Sequence, residues 1–177
     1  MRRVGVSFDI ASGRFIAAGS HAAHVIAINA PRAPGEKRGS TGFSATELLL
    51  AGAGACSAWD VVEIMRKRRQ DLASLDVTVE GQQADEAPWA YERIALHFRL
   101  QGRRLPLRAV ERVVRLSCVR YCSVLATVRG VAQLEATIEL LDEEGRTSGR
   151  RPISLALEPA EPLEDVLPAA EPAVDEA

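Results

Sequence analysis

The strongest constraint on the fold is a run of about a dozen apolar, mainly small residues from Leu48 to Trp59. The residues before it, Ser44-Ala45-Thr46-Glu47, match the S-x-x-E capping box, in which the Ser44 hydroxyl and the Glu47 carboxylate accept backbone N–H bonds at a helix start. The pattern predicts a helix from there to about Gln70, apolar nearly all round in its first half. Such a helix belongs in the centre of a fold, because the apolar run is shorter than the roughly 20 residues that a bilayer core requires.

Short segments of alternating polarity on both sides of this helix predict strands. Three precede it as an antiparallel meander, two follow as a hairpin and one closes the pattern: Arg3–Asp9, Arg14–Ala18, His24–Asn29, Leu75–Gly81, Tyr91–Gln101 and Leu134–Leu140. Before the last strand, Pro106 marks the start of a second helix that continues through Ser117. The order βββ-α-ββ-α-β predicts an α+β fold without sustained βαβ alternation.

Composition suits one soluble globular domain of 177 residues, and its charge is unevenly placed. From Glu158 onward there are seven acidic residues and no Lys or Arg, which leaves 22 basic against 17 acidic residues before it. We expect a domain over residues 1–145 and a largely disordered Pro/Ala/Glu-rich acidic tail over residues 146–177. The basic run at residues 66–69 has no interleaved aromatics and fits a solvated helix end, so neither nucleic acid nor membrane is an expected partner.

The chain begins without a secretory signal, which predicts a cytoplasmic protein with reduced thiols. Its three cysteines are therefore packing, metal-binding or reactive residues. Cys118 and Cys122 would share a helix face, but a closed zinc site needs four N or S ligands and no C-x-x-C pair is present, so no metal is expected. Gly52-Ala53-Gly54-Ala55-Cys56-Ser57 nearly matches the dinucleotide fingerprint, but that motif would need a strand end at Leu48–Ala51. No cofactor is expected.

Cys56 lies inside the predicted central helix between small residues. The ordinary interpretation of such a cysteine is a small buried hydrophobe. However, Gly52 and Gly54 each cost about 1 kcal/mol relative to alanine in a helix interior, which suggests that another helix or a substrate approaches the backbone closely. A second thiol, Cys122 in Tyr121-Cys122-Ser123-Val124, could reach Cys56 from beyond the second helix.

The run Thr46–Val62 around Cys56, together with Leu116-Ser117 and Tyr121-Cys122-Ser123-Val124, resembles the OsmC/Ohr family. It is more similar to the OsmC-like branch than to the organic hydroperoxide resistance proteins, over about Val4 to Leu141. The resemblance implies an OsmC-like fold with a long central helix in an intertwined homodimer, whose active sites form at the subunit interface. It also implies a thiol peroxidase that reduces an organic hydroperoxide at Cys56, with Cys122 as resolving cysteine and an external dithiol as reductant.

Three further residues are candidates for supporting roles at that site. The family's glutamate ten residues before the reactive cysteine is Thr46 here; Glu47 lies about 180° from Cys56 on a helix, and capping explains it. Arg14 aligns with the family's N-terminal arginine only after a gap. Asp60, four residues after Cys56, is expected to raise the thiol pKa as a nearby carboxylate. Cys118 has no counterpart in the two-cysteine pattern and is interpreted as packing.

The leading hypothesis is therefore a cysteine-based peroxidase, an oxidoreductase that detoxifies hydroperoxides. The alternative is a non-catalytic OsmC-like binding protein, in which a dimer-interface pocket holds a small apolar ligand and the cysteines only line it. Thr46 and Asp60 favour the alternative, whereas the cysteine pair favours the enzyme.

Overall fold

The chain folds into two β-sheets and one long helix in this computed structural model. The structure describes residues 3–9, 14–21, 23–29 and 42–155. The first sheet is the predicted meander, with antiparallel strands β1 (Gly5–Asp9), β2 (Arg14–Ala18) and β3 (Val25–Asn29) in that order. Its last strand bridges to Phe43 through Ile28, just before the long helix. The α+β class and the three strands before the helix are confirmed.

Helix α1 (Ala45–Lys67) begins at the predicted capping box. The Glu47 amide donates to the Ser44 hydroxyl at 3.1 Å, and the Ser44 amide donates to the Glu47 carboxylate at 2.6 Å. The helix ends before Gln70 because Arg69 adopts a positive φ of 53° and turns the chain directly into the next strand. Its buried side is narrow and consists of Ala53, Gly54, Ser57, Val61, Ile64 and Met65.

The second sheet has the strand order β4-β5-β6-β7. Strands β4 (Asp71–Gln83) and β5 (Tyr91–Arg103) form the predicted hairpin; β4 is longer at both ends than the alternating pattern indicated, and β5 only at its C-terminal end. Strand β6 (Gln133–Leu141) pairs parallel to β5. Strand β7 (Thr147–Ile153) pairs antiparallel to β6 and had no prediction, because it lies in the segment assigned to the tail. Residues 156–177, the rest of that segment, lie outside the described residues.

The connection from β5 to β6 contains three helical pieces instead of one helix through Ser117. Helix α2 (Leu107–Leu116) continues into a π-helix (Ser117–Tyr121), and α3 (Ser123–Val128) follows. In the π-helix the Cys122 amide donates to the Ser117 carbonyl over five residues, at 2.9 Å. This wider turn shifts Cys122 out of the helical register that its spacing from Cys118 suggested.

All these helices cover one face of the second sheet, and the core lies between them. The largest buried side chains come from that face and from the helices: Phe98, Met65, Ile94, Leu96, Leu100, Leu125 and Ile138. The opposite face carries polar pairs such as His97 with Thr137, at 2.7 Å. The alternation therefore fixes which sides of β5 and β6 contact the helices.

Candidate active site

Cys56 lies at the edge of the buried side of α1, where a side chain is partly exposed. The helix is thin there because its neighbours Ala53, Gly54 and Ser57 are small and buried. The Ser57 hydroxyl donates back to the carbonyl of Ala53 at 2.8 Å, so this polar side chain is satisfied inside the helix. Small residues thus allow other elements to approach the backbone around Cys56.

Cys122 reaches this part of α1 from the end of the π-helix, as the N-cap residue of α3. Its sulfur accepts a hydrogen bond from the Leu125 amide at 3.4 Å and lies 4.0 Å from the Ala53 carbonyl oxygen. The side chain is only 2% exposed. The helix cap and α1 together hold the Cys122 thiol in one place.

The structure places the Cys56 and Cys122 thiols side by side, close enough for each to shift the pKa of the other, and they are not joined as a disulfide. The Cys56 sulfur also lies 3.8 Å from the Ser123 hydroxyl and next to the Val124 amide. Every one of these contacts comes from the first residues of α3 or the residue that caps it. The arrangement can therefore surround a sulfur anion with hydrogen-bond donors.

The environment moves the pKa values of these two thiols in opposite directions. Partial burial alone would raise the pKa of Cys56, but hydrogen bonds from the Val124 amide, the Cys122 thiol and Ser123 outweigh it and lower that pKa. Burial raises the pKa of Cys122 to about 12. The Leu125 amide lowers this pKa, and the contact with Cys56 raises it further. Cys56 is thus the better thiolate, and Cys122 keeps its proton.

Cys118 is buried in the core at the start of the π-helix. Burial, followed by the neighbouring Cys122, raises the pKa of the Cys118 thiol to about 12. The environment of this third thiol is that of a packing residue, as its sequence position suggested.

Asp60 is placed differently from the expectation drawn from its spacing. Its carboxyl contacts the Ser117 hydroxyl of the π-helix. Burial raises the pKa of Asp60, and this contact with Ser117 lowers it by less. The pKa of Cys56 is lowered, with no contribution from Asp60 among its causes. The expected rise of the Cys56 pKa is therefore wrong, because the carboxyl faces Ser117 and Cys118.

Glu47 and Arg14 lie apart from the two thiols. The Glu47 carboxylate is engaged by the Ser44 amide, whose hydrogen bond lowers the pKa of Glu47, so its position is that of a cap. Arg14 stands on β2 of the other sheet, paired in register with Asn29. Neither side chain is among the groups that shift the pKa of Cys56.

Sequence reasoning missed three polar residues around the pair. Ser123 and Ser117 stood inside the recognised motifs, but nothing in the motifs showed that one would face Cys56 and the other Asp60. Arg129 had no signal: its guanidinium donates to the Cys118 and Val119 carbonyls at 2.8 and 3.0 Å. These contacts span distant parts of the chain and depend on the π-helix.

Metal binding and dinucleotide binding were the two other chemistries considered for this region, and each makes a structural demand that the described residues can be compared with. Over those ranges, no group of three or more His, Cys, Asp or Glu side chains is placed to hold a metal ion. Leu48–Ala51, which a dinucleotide fingerprint would require as a strand end, belongs to α1.

A separate open cleft of about 410 Å³ lies between α1 and β4, lined by Phe43, Glu47, Leu50, Ala51, Gly54, Ala55, Ala58, Val77 and Val79. Its lining includes neither Cys56 nor Cys122.

Fold and site together define a class of α+β domains in which a partly exposed thiol on a long helix lies beside a buried thiol. The sequence profile of OsmC, described as OsmC-like protein, matches residues 36–145. The chain belongs to this family. Protein YhfA of Escherichia coli (strain K12) is 39% identical over 98 residues, which are 55% of this chain and 73% of YhfA.

Solved structures agree with this membership. A hypothetical protein from Aquifex aeolicus VF5 is 27% identical with a TM-score of 0.68, over 81% of this chain and 98% of that chain. An organic hydroperoxide resistance protein from Elizabethkingia anophelis shares the fold at 12% identity with a TM-score of 0.61, over 78% of this chain and 94% of that chain. Helix α1 is long and apolar enough to cross a membrane by length and composition. In this fold it is the core helix of a soluble domain.

Proposed function

We propose that this protein is a thiol peroxidase that reduces organic hydroperoxides at Cys56 and resolves the product with Cys122. The observation that carries the proposal is the contact between two free thiols whose pKa values are moved apart. A peroxidatic cysteine must be a thiolate and accessible, whereas a resolving cysteine must lie close by and lose its proton only when it attacks. Cys56 and Cys122 meet these two demands respectively.

In the first step the Cys56 thiolate attacks the terminal oxygen of the hydroperoxide. A sulfur–oxygen bond forms, the O–O bond breaks, and the alkoxide leaves and takes a proton from solvent to become an alcohol. Cys56 is oxidised to the sulfenic acid and the peroxide is reduced. The Val124 amide and the Ser123 hydroxyl stabilise the thiolate before the attack.

In the second step the Cys122 sulfur attacks the sulfur of the Cys56 sulfenic acid. The disulfide forms, the S–O bond breaks, and the departing hydroxide combines with the Cys122 proton to give water. Cys122 still carries its proton at the start of this step because burial raises its pKa. Oxidation of Cys56 to a neutral sulfenic acid removes the neighbouring negative charge that adds to that rise, so Cys122 can lose its proton as it attacks. An external dithiol then reduces the disulfide by thiol–disulfide exchange and is itself oxidised to a disulfide.

Hydrogen bonds from the start of α3 can lower the pKa of Cys56 without the glutamate that the peroxidase branch of the family carries. Position 46 is a threonine, so the glutamate that accompanies the reactive cysteine in the peroxidase branch is missing. Here the start of α3 supplies hydrogen bonds to the sulfur. The name of the Elizabethkingia anophelis protein, which shares this fold, supports hydroperoxides as the substrate class.

We further propose that the protein is a homodimer in the cytoplasm. Members of the family are commonly dimeric. In the single chain α1 exposes Trp59 and Val62, and β1 exposes Val6 and Phe8. Exposed large apolar side chains on two elements support an interface with a second copy. Three free thiols suit a reducing compartment.

The proposal is tested by treating the reduced protein with stoichiometric cumene hydroperoxide and mapping the thiols by mass spectrometry. We expect a Cys56–Cys122 disulfide, no peroxide consumption by Cys56→Ser, and trapped sulfenic acid in Cys122→Ser. The matched control is Cys118→Ala, which removes a buried thiol and should consume peroxide like the wild type. The pH midpoint of Cys56 alkylation should lie below the ordinary cysteine value of about 8.5.

Full peroxide consumption by Cys56→Ser would contradict the proposal, as would a wild type that forms no disulfide. An alkylation midpoint near or above about 8.5 together with no peroxide consumption would favour the small-molecule binding protein instead.

A further inference from the structure

Helix α2 carries a stripe of arginines on the side that faces away from the core. At 100° per residue, Arg108, Arg112 and Arg115 fall within an arc of about 60°, and the buried valines of the helix lie on the other side. Arg108 and Arg112 are exposed, and neither has an ion-pair partner in the part of the chain that the structure describes. Like charges three and four positions apart repel each other on a helix. The arginine stripe therefore favours an acidic occupant.

No acidic residue of α2 itself neutralises the arginine stripe. The helix contains one, Glu111, which accepts a hydrogen bond from Arg151 of β7 at 2.8 Å. The stripe is also separate from the apolar surface that suits a dimer contact, because α1 packs on β4 and α2 packs on β7, at opposite edges of the sheet. Neutralising charge has to come from outside α2.

Strand β7 leads the following part of the chain toward the arginine stripe. A Cβ atom on Gly149 would lie 3.5 Å from the Leu107 side chain, and two residues later Arg151 contacts Glu111. Two strand residues and four helix residues both advance by about 6 Å, so β7 and α2 run side by side in the same direction. Continued to Leu155, the last described residue, this correspondence brings the chain to the C-terminal end of α2.

The part of the chain that follows is acidic, with carboxylates at a regular spacing. Residues 158–165 read Glu-Pro-Ala-Glu-Pro-Leu-Glu-Asp, and no Lys or Arg occurs from there onward. Pro-rich segments favour the polyproline II conformation, which has three residues per turn and a rise of about 3.1 Å per residue. The period of three would place Glu158, Glu161 and Glu164 on one side, at intervals of about 9 Å.

We propose that the acidic segment, residues 158–165, binds the arginine stripe of α2 within the same chain and keeps other polyanions away from it. The three residues from Leu155 to Glu158 span at most about 10 Å, so the first carboxylate can reach the end of the stripe. The stripe is about 10 Å long, which matches the interval between successive carboxylates of the segment. This inference does not depend on the proposed peroxidase function.

Carbodiimide cross-linking of the full chain tests the contact, because the reagent joins carboxylates to amines and the sequence contains only two lysines. Arg112→Lys keeps the charge of the stripe and adds one amine to it. We expect a cross-link within one copy of the chain from position 112 to Glu158, Glu161 or Glu164, identified by mass spectrometry. It should be lost when NaCl is raised from about 0.01 M to about 1 M, since the Debye length falls from about 30 Å to about 3 Å.

Arg150→Lys is the matched control. Arg150 is exposed and lies closer to Glu158 along the chain, but it alternates with Gly149 and Arg151 and therefore lies on the other face of the sheet, paired in register with Glu139. This variant should cross-link to Glu139 and not to the acidic segment. The inference would be overturned by no cross-link from Arg112→Lys, by equal yields from both variants, or by a cross-link found only between isotopically labelled and unlabelled copies.

Elution from heparin–agarose measures whether the acidic segment protects the stripe from another polyanion. The full-length triple variant Glu158→Gln, Glu161→Gln and Glu164→Gln should elute at a higher NaCl concentration than the wild type. Adding Arg108→Gln and Arg112→Gln to it should return elution to the wild-type position, because the polyanion then loses the stripe.

A second triple variant controls for net charge. Asp85→Asn, Glu86→Gln and Glu92→Gln remove the same number of negative charges from exposed positions on the β4–β5 hairpin. This variant should change the elution much less than the triple variant of the acidic segment. Equal changes in the two triple variants would show that heparin responds to net charge alone, and the protective role of the segment would be rejected.

Discussion

Asp60 shows how much the direction of a side chain matters at the scale of single residues. It shares a helix face with Cys56 by spacing, yet its carboxyl contacts Ser117 on the π-helix. The Ser117 hydroxyl has one proton, which it donates to the Ser57 carbonyl at 2.9 Å. The other carboxyl oxygen of Asp60, Oδ2, is buried without a hydrogen-bond partner, so burial penalises the ionised form.

This arrangement makes stability depend on pH. Burial raises the pKa of Asp60, so the folded state keeps a proton that the unfolded state loses above the ordinary aspartate value of about 3.9. The folded state binds more protons in that window, and stability therefore falls as pH rises through it. Asp60→Asn should remove this fall and be at least as stable as the wild type at neutral pH. Urea unfolding from pH 3 to pH 8 measures how the free energy of unfolding changes with pH. The same change in Asp60→Asn as in the wild type would contradict the role of Asp60.

At the scale of elements, the π-helix delivers Cys122 to Cys56. Arg129, just after α3, donates to the Cys118 and Val119 carbonyls and so ties both ends of this short segment together. The positive charge of its guanidinium lowers the pKa of the Cys118 thiol, which burial raises. The distance between Cys56 and Cys122 therefore depends on a residue that touches neither thiol.

We expect Arg129→Ala to lower the free energy of unfolding by about 1–3 kcal/mol, since charge-assisted hydrogen bonds to partly buried carbonyls are lost. It should also lengthen the life of the Cys56 sulfenic acid, because Cys122 is held less firmly beside it, with little change in the first step. Trapping with dimedone after single-turnover oxidation measures that lifetime. Arg129→Lys should recover only part of the effect, because an ammonium lacks the fork that reaches both carbonyls.

The exposed Arg120 of the π-helix provides the control, and Arg120→Ala should change neither stability nor trapping. A destabilised Arg129→Ala with a wild-type sulfenic acid lifetime would mean that Arg129 supports the fold alone.

The elements differ in how far sequence predicts them. Helix α1 was predictable because its start depends on two residues three positions apart, Ser44 and Glu47, whose bonds are local. The π-helix depends on hydrogen bonds that span five residues, such as the one from the Cys122 amide to the Ser117 carbonyl, and leaves no sequence signature. Strand β7 was missed because Gly149 and Pro152 break its alternation. They are tolerated on an edge strand whose pairing comes from β6.

The site follows the same rule. The two cysteines could be named from their motifs, but the donors around Cys56 belong to α3, whose position follows from the fold of the whole β5–β6 connection. The packing reason for Gly54 could not be seen before β4 was placed against it, because a Cβ there would lie 2.9 Å from the Val79 side chain. Local chemistry was therefore predictable, and the direction in which each group faces was not.

At the scale of the whole molecule, the single chain leaves its longest helix half-covered. Trp59 is exposed next to Cys56, and Val62 continues the apolar surface one turn later. Packing this side of α1 against a second copy would remove an indole from water, and an aromatic side chain contributes an area large enough to stabilise an interface by a few kcal/mol. It would also bring the partner subunit close to the reactive thiol.

We therefore expect the wild type to sediment as a dimer of twice 19.1 kDa. Trp59→Lys should shift it toward the monomer, because an ammonium at the centre of an apolar interface is left unpaired. Analytical ultracentrifugation over a concentration series measures the change. Trp89→Lys is the matched control, since Trp89 is similarly exposed but lies on the connection between β4 and β5. A wild type that stays monomeric at high concentration, or a Trp59→Lys variant that associates as tightly as Trp89→Lys, would show that α1 is not the dimer contact. Retained circular dichroism in both variants would show that the shift reflects association and not unfolding.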